Sequence, residues 1–165
     1  METFKWVKIG HGYIAIGHIP GGRISFSSLK KAGTTTVITL LLEHEGAIQI
    51  GEKFNKLGIK WIGFPFSASN PHSGKKKIGE VLELFGKIHH LLENGNRIFM
   101  HCSAGIHRTG MITFGLLGYL GKDKEEAYTL LRELRALTAL MAGEKHLRWG
   151  EQFFLKTNRQ TEKQL

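Results

Sequence analysis

Residues 97–117 read RIFMHCSAGIHRTGMITFGLL, and this stretch decides the fold. Its first part, residues 97–100, is short and apolar like a buried strand, whereas residues 111–117 are apolar at helical spacing. Residues 101–110 between them therefore lie on a turn that joins a strand to a helix. The pattern predicts that this turn presents a cysteine, Cys102, at the beginning of the helix.

Five residues separate Cys102 from Arg108, a spacing that suits a loop wrapped around an anion. Backbone N–H groups at a helix N-terminus bind anions, and phosphate is the anion that fits this loop. The guanidinium of Arg108 would close the ring as a bidentate clamp. Cys102, held as a thiolate by the same donors, is the predicted nucleophile. We expect the phosphate-binding residues to be Ser103, Ala104, Gly105, Ile106, His107 and Arg108.

The small residues of the loop favour this interpretation. Gly105 permits backbone angles that are closed to other residues, and Ala104 leaves room for a phosphoryl group. The hydroxyl of Thr109 could hydrogen-bond the thiolate or protonate it when it leaves. A lone cysteine is more often a small buried hydrophobe. The conjunction of strand, His-Cys, Ser-Ala-Gly, Arg-Thr-Gly and helix nevertheless favours a nucleophile over a buried thiol.

The pattern His-Cys-x5-Arg-Thr, which ends at Thr109, resembles the signature of the cysteine-based protein tyrosine phosphatase superfamily. This resemblance implies that Cys102 forms a phosphocysteine intermediate and that Arg108 binds the phosphate and stabilises the transition state. It implies no metal and no other cofactor. It also gives His101 the role of supporting the loop.

The layout of residues 14–154 is similar to that of the small dual-specificity phosphatases, although this likeness is loose outside the signature. In that family a glutamine near the C-terminus positions the water that hydrolyses the phosphocysteine. Gln152 stands in about the corresponding place, and its alternative is an ordinary surface position on a helix.

The chain departs from this family at the general acid. The family carries an aspartate on a neighbouring loop that protonates the leaving oxygen, and such help typically contributes about 10² to 10⁴ in rate. Here the only aspartate is Asp123, and the expected counterpart loop, residues 64–74, has none. Three substitutes stay open: His72 on that loop, Glu80 on the next helix, or a substrate whose leaving group is already acidic.

Apolar and polar segments alternate in a way that predicts an α/β fold, with a mostly parallel central sheet of four to five strands flanked by helices. We expect Ile48 and Phe54 to face inward on one helix, and Leu137 to lie in the buried stripe of another. The predicted elements are a hairpin or edge strands in 6–19, strands in 34–42, 59–64 and 97–100, and helices in 25–33, 46–56, 75–93, 111–121, 124–138 and after residue 144.

The composition predicts one domain. The chain has 165 residues, 41% of them hydrophobic, which is enough for one buried core. We expect a catalytic domain over residues 1–158 and a polar, frayed tail over 159–165. No run of 18 or more apolar residues occurs, so we predict no transmembrane segment.

A single cysteine excludes an internal disulfide and fits a reducing, cytoplasmic compartment, although export by a route without a cleavable signal stays open. The net charge of +9 favours polyanionic partners. We predict a phosphorylated protein or another phosphorylated polyanion as the partner, with nucleic acid and acidic lipid as alternatives. The alternative is that the excess of basic residues only makes the surface soluble, which would give the same net charge.

These observations lead to one prediction and two alternatives. We predict a phosphatase that hydrolyses phosphotyrosine, and also phosphoserine or phosphothreonine, in proteins through a cysteinyl phosphate. The first alternative is a phosphatase of RNA 5′-triphosphate ends or phosphoinositides. The second is a phospho-binding module whose turnover is weak because the aspartate is absent. A sulfur-transfer domain is disfavoured because its cysteine loop lacks this pattern.

Overall fold

Five strands form one sheet, and the loop that carries Cys102 follows the central one. The computed structural model describes residues 4–154. The strands are β1 (Val7–Ile9), β2 (Gly12–Gly17), β3 (Thr36–Thr39), β4 (Lys60–Gly63) and β5 (Arg97–His101). Their order in the sheet is β1-β2-β5-β3-β4. β1 pairs with β2 as an antiparallel hairpin and the other pairings are parallel, so the predicted mostly parallel α/β sheet is confirmed.

β5 lies at the centre because it is apolar enough to be buried on both faces. Ile98, Phe99 and Met100 have no exposed surface, as expected for a strand with helices on both sides. In register, His101 pairs with Gly17 at the end of β2 and with Thr39 at the end of β3. The chain that leaves each of these strands is therefore brought beside Cys102.

Helices cover both faces of the sheet. The structure has α1 (Phe26–Lys31), α2 (Ala47–Lys56), α3 (Gly74–Glu93), α4 (His107–Tyr119), α5 (Lys124–Leu134), α6 (Ala136–Ala142) and α7 (Glu144–Gly150), with short 3-10 helices at Glu43–Glu45 and Glu151–Phe153. Side chains from α1 and α2, such as Leu29 and Phe54, pack on one face. α3 to α7 pack on the other. Two separate apolar cores thus hold the sheet between them.

α4 is the most enclosed helix, since every residue from Thr109 to Gly118 is buried. It contacts α7 at glycines. A Cβ atom added at Gly150 would lie 2.9 Å from the backbone nitrogen of Gly115. The two helices therefore approach at backbone distance, and no side chain separates them at this point.

Two sequence predictions of buried positions are wrong. Leu137 is 48% exposed, because the helix predicted over 124–138 ends at Leu134 and restarts at Ala136. The break is at Arg135, whose φ of −164° is extended. Ile48 is 47% exposed, whereas Ile50 and Phe54 turn inward on α2.

Part of the predicted domain lies outside the described residues. The tail over 159–165 and the proposed domain boundary at 158 both fall after residue 154. Among the helices within residues 4–154, none combines the length and the apolar character that a bilayer crossing requires.

Two glycine substitutions test the helix packing. We expect Gly150→Ala to lower the free energy of unfolding by about 1–3 kcal/mol, because the new methyl group collides with the backbone of α4. Gly79→Ala is the matched control, since Gly79 is an exposed position of α3 and nothing lies within 4 Å of its added Cβ. It should raise stability by about 0.5–1 kcal/mol through helix propensity. Urea unfolding of the two variants and the wild type measures both effects, and a neutral Gly150→Ala would contradict the close approach.

Candidate active site

The loop of residues 102–106 joins β5 to α4, and each of its carbonyl groups accepts a hydrogen bond from the rest of the protein. Four different parts of the chain supply these donors. They are the ring of His101 to the Cys102 oxygen (2.9 Å), the Ile19 N–H to Ser103 (2.8 Å), the Arg135 guanidinium to Ala104 and Gly105 (2.9 Å each), and the Gly110 N–H to Ile106 (2.8 Å).

The backbone N–H groups of the same loop, in contrast to its carbonyl groups, have no partner in the described part of the protein. Within residues 4–154, no N–H from Ser103 to Thr109 donates to a protein acceptor. Because these groups precede and begin helix α4, the dipole of that helix adds to their partial positive charge. The loop therefore offers a set of unused donors around its mouth, an arrangement that binds oxyanions.

Gly105 is required for this shape of the loop. Its φ is +71°, a region that favours glycine. A Cβ atom at this position would also collide with the carbonyl group of Gly17 at the end of β2. The loop therefore packs directly against the end of β2, which pairs with the end of β5 at His101.

Cys102 lies at the base of the loop and is only 3% exposed. The hydroxyl of Thr109 donates a hydrogen bond to its Sγ atom at 3.1 Å. A hydroxyl so placed stabilises a thiolate and can stay bonded to the sulfur as the charge on it changes. The structure thus brings Cys102, Thr109 and the unused N–H groups together.

The guanidinium of Arg108 is held by a carboxylate that the sequence analysis missed. Its two terminal nitrogens donate to Glu45 at 2.7 and 3.0 Å, a bidentate pair. The hydrogen bond from Arg108 lowers the pKa of Glu45, and the same bond raises the pKa of Arg108. Glu45 ends the 3-10 helix that follows β3, so the strand order places it beside the loop.

His101 is buried and belongs to a chain of hydrogen bonds behind the loop. Burial lowers its pKa to about 4, so the ring is neutral at pH 7. Because a carbonyl oxygen only accepts, Nδ1 carries the hydrogen and donates to Cys102. Nε2 then accepts from the hydroxyl of Thr39 at 2.8 Å, and that hydroxyl accepts from the Trp61 indole at 2.8 Å. This relay fixes the tautomer of His101.

Arg135 and Thr138 hold the loop from the side of α6. The Thr138 hydroxyl donates to the Gly105 carbonyl at 2.6 Å, beside the Arg135 guanidinium. Burial lowers the pKa of Arg135. The break between α5 and α6 therefore has a tertiary cause, since Arg135, the extended residue at the break, directs its side chain to the loop.

The two side chains considered as substitute acids bind each other. His72 Nε2 lies 3.5 Å from a carboxylate oxygen of Glu80. The imidazole is 14% exposed and its ring lies 5.1 and 5.4 Å from those of Phe64 and Phe66. Burial lowers the pKa of His72. Within residues 4–154, neither His72 nor Glu80 forms a hydrogen bond or ion pair with Cys102.

Gln152 forms no hydrogen bond or ion pair with residues 102–108 within the described part of the chain. It is exposed on the last 3-10 helix, and its side-chain amide donates to the Trp149 carbonyl at 2.7 Å. Gly150, two residues before Gln152, contacts Gly115 on α4. Gly115 is eight residues after His107, which is about 12 Å along the helix axis at 1.5 Å per residue. His107 itself is exposed at the mouth of the loop, with its ring 4.7 Å from that of His146.

The residues that the sequence analysis missed are Glu45, Thr39, Trp61, Arg135 and Thr138. One signal was available for two of them, because Thr39 and Glu45 come at or just after the end of a strand that neighbours β5. Nothing in the sequence pattern marks the other three.

The depressed pKa of His101 predicts a pH dependence of stability. A histidine in the unfolded chain binds a proton below about 6.5, whereas buried His101 does so only near 4. Stability is therefore lost as the pH falls through this window, by about 3 kcal/mol in total. His101→Asn cannot titrate, so the stability gap between wild type and variant should narrow from pH 7 to pH 4. Urea unfolding at several pH values measures this gap, and a constant gap would contradict the burial of a neutral ring.

The sequence and fold are similar to those of known phosphatases. Residues 68–130 match the tyrosine phosphatase family, and this segment contains the Cys102 loop, helices α3 and α4, and the first part of α5. A search of curated proteins finds no match. Among solved structures, the chain is similar to kinase associated phosphatase with its catalytic-site cysteine substituted by serine, with a TM-score of 0.76 and 18% identity over 94% of this chain and 95% of that one.

Two further structures show the same fold. PTPMT1 in complex with PI(5)P has a TM-score of 0.73 at 15% identity, over 94% of this chain and 98% of that one. The core catalytic domain of the PP-IP phosphatase SIW14 from S. cerevisiae, in complex with citrate, has a TM-score of 0.62 at 16% identity, over 91% and 84%. The family match supports a phosphatase of the tyrosine-phosphatase type, and the solved structures share its fold. The predicted resemblance to the cysteine-based protein tyrosine phosphatase superfamily is thereby confirmed.

Proposed function

We propose that the protein is a phosphatase that hydrolyses phosphomonoesters, with Cys102 as its nucleophile. One observation carries this proposal. The buried sulfur lies at the base of a loop whose carbonyl groups are all bonded to the protein, while its N–H groups donate to no described acceptor. A dianionic phosphate supplies the acceptors that these donors lack, and it would sit directly above the sulfur.

The proposed reaction has two displacements at phosphorus. Sγ of Cys102 attacks, the bond from phosphorus to the ester oxygen breaks, and the departing oxygen takes a proton from water to give an alcohol or phenol. Water then attacks the cysteinyl phosphate, the bond from phosphorus to sulfur breaks, and phosphate leaves. The hydrogen bond from Thr109 favours the thiolate that departs in this second step.

Arg108 is suited to the charge that develops on the phosphoryl oxygens. A guanidinium has five N–H donors, and the Glu45 pair uses one on each of two nitrogens. The others can reach a bound phosphate in a bidentate geometry while Glu45 keeps the group from turning away. Glu45 is thus a positioning residue for Arg108.

We propose phosphotyrosine, and phosphoserine or phosphothreonine, in proteins as the first substrates to test. The resemblance to small dual-specificity phosphatases supports this choice, as does the name of one structural relative, kinase associated phosphatase. The active domain would span residues 1–158. Because oxidation inactivates a nucleophilic thiolate, we place the enzyme in a reducing compartment such as the cytoplasm.

A second candidate is the hydrolysis of phosphates with an acidic leaving group, such as the 5′-triphosphate end of RNA. The absence of an aspartate general acid from residues 64–74 favours this candidate. The His72 side chain is mostly buried and is paired with Glu80. Phosphoinositides are a further alternative, supported by the names of relatives that bind PI(5)P or act on PP-IP. Assays on phosphotyrosine and phosphothreonine peptides, phosphoinositides and triphosphate-ended RNA compare these substrates directly.

The nucleophile is tested with para-nitrophenyl phosphate, whose leaving group needs no protonation. The wild type should hydrolyse it, and Cys102→Ser should lose the activity, because a serine hydroxyl is a far weaker nucleophile at neutral pH. Arg108→Lys is the matched charge control and should lower kcat/KM by roughly 10²-fold, since a lysine ammonium cannot form the bidentate hydrogen bonds of the planar guanidinium. If Cys102→Ser keeps wild-type activity, covalent catalysis through this residue is wrong. If the wild type has no activity but binds phosphopeptides, and Arg108→Lys weakens that binding, the protein is a phospho-binding module.

The missing general acid predicts a strong dependence on the leaving group. Unassisted departure should make phenyl phosphate react roughly 10² to 10⁴ times more slowly than para-nitrophenyl phosphate, which is the range that acid catalysis normally recovers. His72→Asn should leave this ratio unchanged, because the ring is stacked among aromatic side chains. Steady-state rates on the two esters measure the ratio. Equal rates, or a ratio that rises in His72→Asn, would show that a proton donor acts after all.

A further inference from the structure

Two histidine rings meet at the mouth of the Cys102 loop. His107 begins α4 directly before Arg108, and it is exposed together with Ser103 and Ala104 of the loop. The ring of His146, in the first turn of α7, lies 4.7 Å from the ring of His107, at an interplanar angle of 48°. The contact brings a second imidazole to the proposed site, and the reaction described above uses neither ring.

His146 is held in this position by the packing of α7 on α4. A Cβ atom added at Gly110, in the first turn of α4, would lie 3.0 Å from the Cβ of Ala142 and 3.7 Å from Cδ2 of Leu147. These two neighbours stand on either side of His146 in sequence, and His146 itself is only partly exposed. The chain around His146 therefore lies against the turn of α4 that begins at His107.

One nitrogen of the His146 ring is bonded and the other is free. Nδ1 lies 2.8 Å from the carbonyl oxygen of Ala142. Because a carbonyl oxygen only accepts, Nδ1 carries the hydrogen and donates, which leaves the lone pair of the neutral ring on Nε2. Within residues 4–154, Nε2 forms no hydrogen bond and His146 forms no ion pair. His146 thus offers one proton acceptor whose ring is anchored from behind.

Of the two rings, only that of His146 is held by a hydrogen bond. The ring of His107 forms neither a hydrogen bond nor an ion pair with the described residues, and it is exposed. Its contact with His146 limits the movement of the His146 ring from the side of the loop. His107 is therefore a positioning residue for His146.

The second displacement of the proposed reaction needs a proton acceptor at the mouth of the loop. An in-line displacement places the entering and the leaving atom on opposite sides of phosphorus. Because Cys102 lies at the base of the loop, the attacking water enters from the mouth. Both carboxylate oxygens of Glu45 already accept from Arg108, and the amide of Gln152 donates to the Trp149 carbonyl. Nε2 of His146 has no such competing partner.

We propose that His146 takes a proton from the water that hydrolyses the cysteinyl phosphate. The inference rests on the proposed function, because it concerns the second displacement of that reaction. One O–H bond of the water breaks and its proton goes to Nε2, while the water oxygen bonds to phosphorus. The bond from phosphorus to sulfur breaks, and its electron pair stays on Cys102 as a thiolate. The imidazolium then gives its proton to solvent.

This role is confined to the second displacement. The neutral ring of His146 has no hydrogen on Nε2, so it has no proton to give to the departing ester oxygen in the first. The strong dependence on the leaving group that we expect from the missing acid is therefore retained.

Kinetics with para-nitrophenyl phosphate test the proposal on the full 165-residue chain. The leaving group of this ester needs no proton, so the first displacement is fast and the second limits turnover. His146→Ala should lower kcat by roughly 10²-fold, the smaller contribution that a positioned base typically makes. KM should fall by a similar factor and kcat/KM should stay near the wild-type value, because kcat/KM reports only the steps up to the first displacement.

The accumulated intermediate gives a second readout. In His146→Ala the first turnover should release a burst of para-nitrophenol that is stoichiometric with the enzyme. Acid quenching should then trap phosphate on Cys102, which mass spectrometry of the peptide detects. His146→Gln should show the same burst, because an amide can hold the water but cannot take its proton, and this variant keeps a polar side chain against α4. A substitution that only loosened the loop would lower kcat/KM and give no burst.

His90→Ala is the matched control, because His90 is an exposed histidine in the last turn of α3. It should keep the wild-type kcat and show no added burst. Equal falls of kcat and kcat/KM in both His146 variants, or the absence of a burst in both, would overturn the proposal. A burst in His107→Ala but not in His146→Ala would assign the proton to the other ring and would overturn it as well.

The wild type and Cys102→Ser separate this inference from the proposed function. If the wild type does not hydrolyse the ester, or if Cys102→Ser hydrolyses it equally well, the proposed function fails and this inference fails with it. If the wild type is active through Cys102 and the His146 variants lack the burst, only the role of His146 is contradicted.

Discussion

The structure depends on how one short loop distributes its backbone polar groups. Between Cys102 and Ile106 every carbonyl oxygen is bonded to a donor elsewhere in the protein, and these donors come from β5, from the chain after β2, from α4 and from the α5–α6 junction. A loop held by its carbonyls cannot turn them toward a bound anion. The fold therefore fixes the polarity of the site before any ligand arrives, which is the kind of preorganisation that electrostatic catalysis needs.

Arg108 shows a second form of the same constraint. Burying the Arg108 guanidinium without a partner would cost free energy. If Cys102 were its only partner, a bound substrate would compete with that contact. Glu45 resolves this problem because it binds the far side of the group, and hydrogen bonding keeps the carboxylate charged by lowering its pKa. The site thus contains one compensated ion pair whose cation still has donors to spare.

The strand, loop and helix around Cys102 could be predicted because local pattern and motif agree there. Residues 97–100 are apolar, the loop residues are small, and the helix that follows is apolar on all sides. Positions that depend on tertiary contacts could not be predicted in this way. Leu137 fits a helical stripe, yet the helix breaks just before it, because Arg135 bonds to loop carbonyls that are distant in sequence. Glu45 and Trp61 likewise act through the strand order, which no local period encodes.

The relay behind the loop makes the site depend on the margin of the sheet. Trp61 stands on β4, the edge strand, and is linked through Thr39 and His101 to the carbonyl of Cys102. A residue of the edge strand thus supports the orientation of a buried imidazole, because its indole N–H binds the hydroxyl that donates to Nε2. Substitutions in this edge strand can therefore affect the catalytic loop from a distance, whereas within residues 4–154 no side-chain hydrogen bond links β1, the opposite edge strand, to the loop.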